Sequence, residues 1–326
     1  MRLVHIACAA IAAVLGFANA ARAEDPDQQI TLIVPYGAGG ATDRAAHNFK
    51  AVAPKYISQP LNIAHRTGAG GAVGAYLVAN AKQDGYTMIV ARVGSHTVNP
   101  AMKARLPYAI DDFRYVGVFE LNPVVCATSP KSGIKTMAAL ITAVKAKPGQ
   151  LSYSSSGVGS MLHLAGPLVL DAFDVEDAAE AATHLPFRGG GEAATQVANG
   201  SATFICTNSS SIIDRIRSGS LVPLMVTTKE RVKDIDAPTA AELGHPELEV
   251  LVGWSGIAGP KGLSDEAFAA WSKWLAQIGA DEQFKSSMRN LGSIPVHMSP
   301  DDSILFIKQQ HGVFDDLVRR LGMRVE

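Results

Sequence analysis

Short runs of β-branched and aliphatic residues in the first third of the chain end in glycine-rich turns and give way to helix-starting residues. Ile30-Thr31-Leu32-Ile33-Val34 reads as a strand buried on both faces. Pro35 ends its ladder by removing a donor, Gly37, Gly39 and Gly40 let the chain turn tightly, and Thr42 and Asp43 start a helix. The device repeats where Leu61 to Arg66 leads into Thr67-Gly68-Ala69-Gly70-Gly71-Ala72-Val73-Gly74, and Asp84-Gly85 precedes a third strand, Tyr86 to Ala91, that ends at Gly94-Ser95-His96-Thr97. Strands and helices alternating in this way predict βαβ units and a parallel sheet.

The apolar runs Tyr115 to Phe119 and Val124 to Thr128, broken at Asn122-Pro123, read as the chain leaving a first domain. A second βα series follows. It has a helix over 136–145, a strand over 151–154, a serine and glycine loop from Ser155 to Ser160, and a helix carrying His163 that Ser160 caps. Thr183 to Gly191 is another strand end, with Arg188 at its glycine-rich turn before a helix over 192–198. Strand 202–206 runs into the polar stretch Thr207 to Ser211, backed by a helix over 212–217, and strand 221–227 completes the set. Leu251 to Ala258 carries the chain back, and helices starting near Ser264, Asp281 and Pro300 finish it; Trp271 and Trp274 share a helix face and read as core. The expected division is residues 28–122 with 250–326, and residues 123–249.

A strand feeding a glycine turn into a helix start is an anion site, because unpaired amides and the positive end of the helix dipole converge there. Two such turns at the carboxyl ends of neighbouring strands face one crevice. His96 serves either an acidic ligand or the turn near Asn99-Pro100, and the planar fork of Arg188 suits either a carboxylate or a surface salt bridge.

A chain of 326 residues with 47% hydrophobic and 18% charged content is long enough for two cored domains and reads as globular. A formal net charge of -1 without a basic stripe excludes nucleic acid as a partner. Residues 1–23 read as a signal peptide, with Arg2 and His5 before an apolar stretch and cleavage after Ala20 or Ala23, which predicts a periplasmic protein. Beyond that segment Cys126 and Cys206 read as buried thiols, while an oxidising compartment also permits a disulfide between them. The histidines show no metal-ligand spacing. Neither glycine turn completes Gly-x-Gly-x-x-Gly, since Thr42 and Val73 fill the last place, and no Gly-x-Ser-x-Gly elbow occurs. The expectation is therefore no nucleotide cofactor, no metal and no catalysis.

With these motifs in order, the chain resembles the Bug-type solute-binding receptors of tripartite tricarboxylate transporters. The resemblance rests on Pro35 to Asp43, Gly68 to Gly74, Asp84 to Thr87, Asn99-Pro100, Leu106-Pro107-Tyr108, Lys147-Pro148-Gly149, His163 to Gly166 and Gly253-Trp254. It implies an α/β, two-lobed type II periplasmic binding protein fold, each lobe a mostly parallel sheet flanked by helices, with a ligand cleft between lobes. It also implies a monomer that closes like a hinge on a small carboxylate (a di- or tricarboxylate, an aromatic acid or an acidic amino acid) and serves a membrane permease. A periplasmic sensor subunit signalling to a membrane kinase is the alternative. In similar proteins the two glycine loops hold a carboxylate through amides and ordered waters. The ligand set so implied is Tyr36, Gly37, Ala38, Gly39, Gly40, Thr42, Asp43, Thr67, Gly68, Ala69, Gly70, Gly71, Ser95 and His96 on the first lobe. On the second lobe it is Ser156, Gly157, Ser160, His163, Arg188, Gly189 and Asn208. The chain departs from the family pattern at Gly37 and Thr67, where prolines are usual, at Thr203 and Thr207, where aspartates are common, and at Arg188, where lysine is usual.

Overall fold

A computed structural model describes residues 28–325, so the expected signal peptide lies outside the described residues. The chain begins with β1 (Ile30–Val34), α1 (Ala41–Val52), β2 (Leu61–His65), α2 (Ala72–Ala79), β3 (Thr87–Arg92) and the single turn α3 (Asn99–Met102). Strand β4 (Phe113–Thr128) leads to α4 (Met137–Ala146), β5 (Ser152–Ser155), α5 (Met161–Ala172), β6 (Thr183–Pro186), α6 (Gly190–Asn199), β7 (Phe204–Asn208), α7 (Ser209–Arg217) and β8 (Val222–Val226). The chain returns through β9 (Val252–Pro260), α8 (Asp265–Ala280), α9 (Glu282–Asn290), β10 (Ile294–Met298) and α10 (Pro300–Arg320).

Strands β2, β1 and β3 pair in parallel, with Ile30 opposite Leu61 and Thr31 opposite Thr87. Strand β9 joins β3 antiparallel, β4 joins β9, and β10 joins β4. The second sheet repeats this plan: β6, β5 and β7 are parallel, and the end of β4 runs antiparallel between β7 and β8. The two apolar runs around Asn122-Pro123 are thus one strand of 16 residues shared by both sheets. Pro123 is tolerated because it lies at the handover, opposite Val252 of β9, one residue before pairing with β7 begins at Val124. The result is the two-lobed type II binding fold, with a parallel half in each sheet and the strands that pass between lobes lying antiparallel to it.

In the first core Phe49 packs on Phe119 and on Trp271 at centroid distances of 6.0 and 6.4 Å, and Trp271 Nε1 donates to the Gly85 carbonyl at 2.9 Å. Side-chain oxygens of Thr136, Ser160, Ser264, Asp281 and Ser299 cap α4, α5, α8, α9 and α10. Helix α10 buries Ile307, Phe314 and Val318. Cys126 and Cys206 form a disulfide rather than two packed thiols, because the register of β4 against β7 sets them directly opposite, with Cα atoms 3.9 Å apart.

The lobes touch along the cleft through both backbone and side chains. Gly37 N donates to the Arg188 carbonyl at 3.0 Å, Ala41 N donates to Ser211 Oγ at 2.9 Å, and Arg44 pairs with Asp214 at the rim. A Cβ on Gly70, whose φ is +67°, would lie 2.5 Å from the Val158 carbonyl oxygen of the opposite loop, so glycine is what lets these walls meet.

Candidate functional site

Strands β1, β3, β5 and β7 end at the cleft, and a helix starts behind each of β1, β5 and β7. A cavity of about 30 Å³ sits where these ends meet, lined among others by Gly40, Ala41, Thr42, Arg92, Ser156, Gly190, Thr207 and Ser211. It takes in the N-terminal ends of α1, α5, α6 and α7, so four positive dipole ends meet at it, and those of α1, α6 and α7 have no side-chain cap from their N-cap residues. A cavity of this size admits a group on the scale of one or two waters, since one water needs roughly 10–15 Å³ by this measure. A carboxylate head is of that scale, and a whole ligand requires the lobes to part. A larger hollow of about 750 Å³, lined by Gln28, Lys82, Asp84 and Trp274, lies at the opposite end of β1 and β3 and gathers no such set of helix ends.

Of the first-turn residues, Tyr36, Gly40 and Thr42 line the cavity. Tyr36 is buried, its hydroxyl donates to the Gly70 carbonyl at 2.8 Å, and burial pushes its pKa well above the usual phenol value, so it stays neutral. Gly37 is spent on Arg188, Ala38 and Gly39 are exposed, and Gly39 N donates to Asp43 Oδ2 at 2.8 Å. The expectation of unpaired amides at the glycine turn is therefore corrected at Gly37 and Gly39, each of which meets an oxygen of the protein itself, and the first helical amide, that of Ala41, likewise meets Ser211 Oγ. Asp43 does not face the cavity: its other oxygen lies 2.7 Å from His65 Nε2 and 3.4 Å from His47 Nε2, and the carboxylate braces the turn.

The second glycine turn is brought to the first through Tyr36, but none of Thr67, Gly68, Ala69, Gly70 and Gly71 lines the cavity. Its carbonyls face inward onto the protein, with Ala69 O accepting from Lys103 Nζ at 2.7 Å and from Asn99 Nδ2 at 3.2 Å. Ser95 and His96 are likewise corrected. Both are fully buried, Ser95 Oγ lies 2.9 Å from His96 Nδ1, and the imidazole packs edge-on to Phe113 at 4.5 Å among Tyr108, Tyr115 and Trp254. Burial pushes its pKa down to about 3, so His96 is a neutral core residue and offers no charge to a ligand.

On the second lobe Ser156 and Asn208 line the cavity, and Gly190 does so beside Gly189, which packs on Gly37. Gly157 packs on Gly70, and Ser160 caps α5. His163 stacks on His184 at 4.0 Å and accepts from Gly159 N at 3.3 Å, outside the cavity. Burial pushes His163 down to about 4, helped by Lys103, and His184 down to about 3, helped by His163. Arg188 is exposed; its backbone binds Gly37 and the side chain of Glu192, and it is not among the cavity-lining residues.

The cation at the cavity is Arg92, the last residue of β3. It is 3% exposed, with Nη1 donating to Glu120 Oε2 at 3.2 Å and Nη2 to Asn208 Oδ1 at 2.8 Å. Burial pushes its pKa down and the adjacent Glu120 opposes that shift. Reading β3 as ending at Ala91 hides this residue; the available signal is an arginine closing an otherwise apolar strand at its carboxyl end, where open α/β sheets bind ligands. Met161, Leu162, Val93 and Gly94 supply the apolar part of the lining. Among the described residues no group of three or more His, Cys, Asp or Glu side chains is placed to hold a metal ion.

A two-lobed α/β protein whose strand ends and helix starts enclose an anion-sized cavity has the architecture of a solute-binding protein. The pattern that defines the tripartite tricarboxylate transporter family receptor matches residues 46–323, and the chain belongs to that family, whose members are substrate-binding receptors rather than enzymes. It is 28% identical to protein BugT of Bordetella pertussis over 304 residues, 92% of this chain and 91% of that protein. Among solved structures it superposes on a periplasmic transporter with a TM-score of 0.86 at 30% identity, covering 93% of this chain and all of that one. An adipate-bound protein of R. palustris follows at 0.84 and 27%, covering 90% of this chain and 97% of that one. MatC of Rhodopseudomonas palustris with bound malate gives 0.83 and 25%, covering 89% and 98%.

Proposed function

We propose that this chain captures a small carboxylate in the periplasm by hinge closure and delivers it, as a monomer, to the membrane permease of a tripartite tricarboxylate transporter. The moving bodies are residues 28–122 with 250–326, and residues 123–249, and the segment 1–23 directs secretion. The convergence of four helix N-termini on one cavity carries this reading. One exposed helix end contributes about 0.3–1 kcal/mol to an anion, whereas micromolar binding requires about 8 kcal/mol. Several termini plus charge-assisted bonds of about 1.5–3 kcal/mol each reach that value once closure excludes water. On opening, the donors at Gly37 and Ala41 leave Arg188 and Ser211 and become available to a guest. Malate and adipate on structural neighbours support a carboxylate as that guest.

Mass spectrometry of ligand retained through native purification, followed by calorimetric titration with straight-chain dicarboxylates, aromatic acids and acidic amino acids, tests the reading. The expected result is one or more acids bound with micromolar or tighter affinity. Absence of binding by every acid in the panel overturns it.

A further inference from the structure

Building on that receptor reading, we propose that Arg92 grips the ligand's carboxylate directly, with the Thr207 hydroxyl beside it, and so determines the specificity of the site for an anionic head over its neutral amide.

Arg92 is the one charged residue that lines the cavity among the described residues. Its bonds to Glu120, Ser255 and Asn208 all use Nη1 and Nη2, which leaves Nε unengaged among the described residues. Glu120 does not compete for the cavity. Its Oε1 accepts from Asn122 Nδ2 and from Ser293 Oγ, both at 2.6 Å, and its Oε2 accepts from Ser255 and Arg92. A carboxylate held by so many donors is fixed in place, and it orients the guanidinium while balancing its charge. Thr207 Oγ1 is fully buried, lines the same cavity and has no hydrogen-bond partner there. A buried hydroxyl left without a partner is costly unless a guest completes it. A carboxylate seated here accepts from the Thr207 hydroxyl and from Arg92 at once. The Arg92 to Asn208 bond joins β3 to the start of α7 across the cleft, so the same guanidinium meets the guest and the closing lobe.

The test is a cycle between protein and ligand. Calorimetry on the full secreted chain measures succinate through suberate, then the monoamide and diamide of the tightest-binding acid. The variants are Arg92→Gln with Glu120→Gln, which leaves no buried charge stranded, and Arg92→Lys. In the native protein the diamide binds about a hundredfold or more weaker than the monoamide, and in the double variant that ratio shrinks by about tenfold or more. Arg92→Lys weakens the acids about fivefold or more and leaves the diamide unchanged, because the fork is lost and the charge kept. A ratio preserved in the double variant, or Arg92→Lys weakening acid and diamide alike, overturns the role of Arg92 while leaving the receptor reading standing. If the native protein binds none of the acids, both fall.

Discussion

Gly191 of α6 stands against Gly39 of the first turn so closely that a Cβ on it would lie 2.7 Å from the Gly39 carbonyl carbon and 2.8 Å from its oxygen. The two residues belong to opposite lobes, and neither has a side chain that can move aside. On the hinge-closure reading proposed above, bare backbone sets how far the lobes can close. Gly191→Ala is expected to leave the uncomplexed protein as stable as before or slightly more so, since alanine is the better helix former. It is expected to weaken carboxylate binding about tenfold or more, the equivalent of roughly 1.4 kcal/mol. Melting temperature without ligand, calorimetry with it and small-angle scattering of the complex separate the two effects; unchanged affinity would show that the lobes close by another path.

Reduction of the Cys126–Cys206 bridge releases a constraint between residues 80 apart in sequence. Closing a loop of that length stabilises the fold by about 2–4 kcal/mol, chiefly through the unfolded chain. The urea midpoint should drop accordingly in dithiothreitol, and the variant Cys126→Ala with Cys206→Ala should reproduce the drop and ignore the reductant. A native midpoint indifferent to reductant would mean that the bond is not formed in the purified protein.

Acidification should destabilise the protein through its buried imidazoles. His96, His163 and His184 are held well below the usual value near 6.5, at about 3, 4 and 3. The unfolded chain thus takes up protons that the folded chain refuses, so the stabilisation is complete above pH 6.5 and is lost progressively as pH falls toward 3–4. For fully buried His96 the expected slope is about 1.4 kcal/mol per pH unit below 6.5. His96→Phe, which keeps an aromatic ring among Tyr108, Phe113 and Tyr115, should flatten the curve of unfolding free energy between pH 6 and pH 4 relative to the native chain. Parallel curves for the two proteins would rule His96 out as a source of the pH dependence.

The units β1-turn-α1 and β2-turn-α2 are legible in the chain because a buried parallel strand, a glycine turn and a helix start each leave a local signature, and so do the caps at Thr136, Ser160 and Ser264. The continuity of β4 through Pro123 is not legible, since what permits it is the handover between two partners distant in sequence. The same holds at the site. Glycine turns announce donors but not whether Asp43, Ser211 or Arg188 already occupies them. Arg92 and Arg188 differ in burial, and burial is set by which strand and which lobe lie opposite.

Because β4 runs inside both sheets, between β9 and β10 in one and between β7 and β8 in the other, the two halves of this protein share one unbroken ribbon of backbone. Excising residues 123–249 would cut β4 at the handover, leaving its first part between β9 and β10 and taking its last part away with β7 and β8, so each sheet would keep its pairing and lose the covalent strand that ties it to the other. Biosensors made from this receptor should accordingly carry their inserted reporters in surface loops and leave that ribbon uncut.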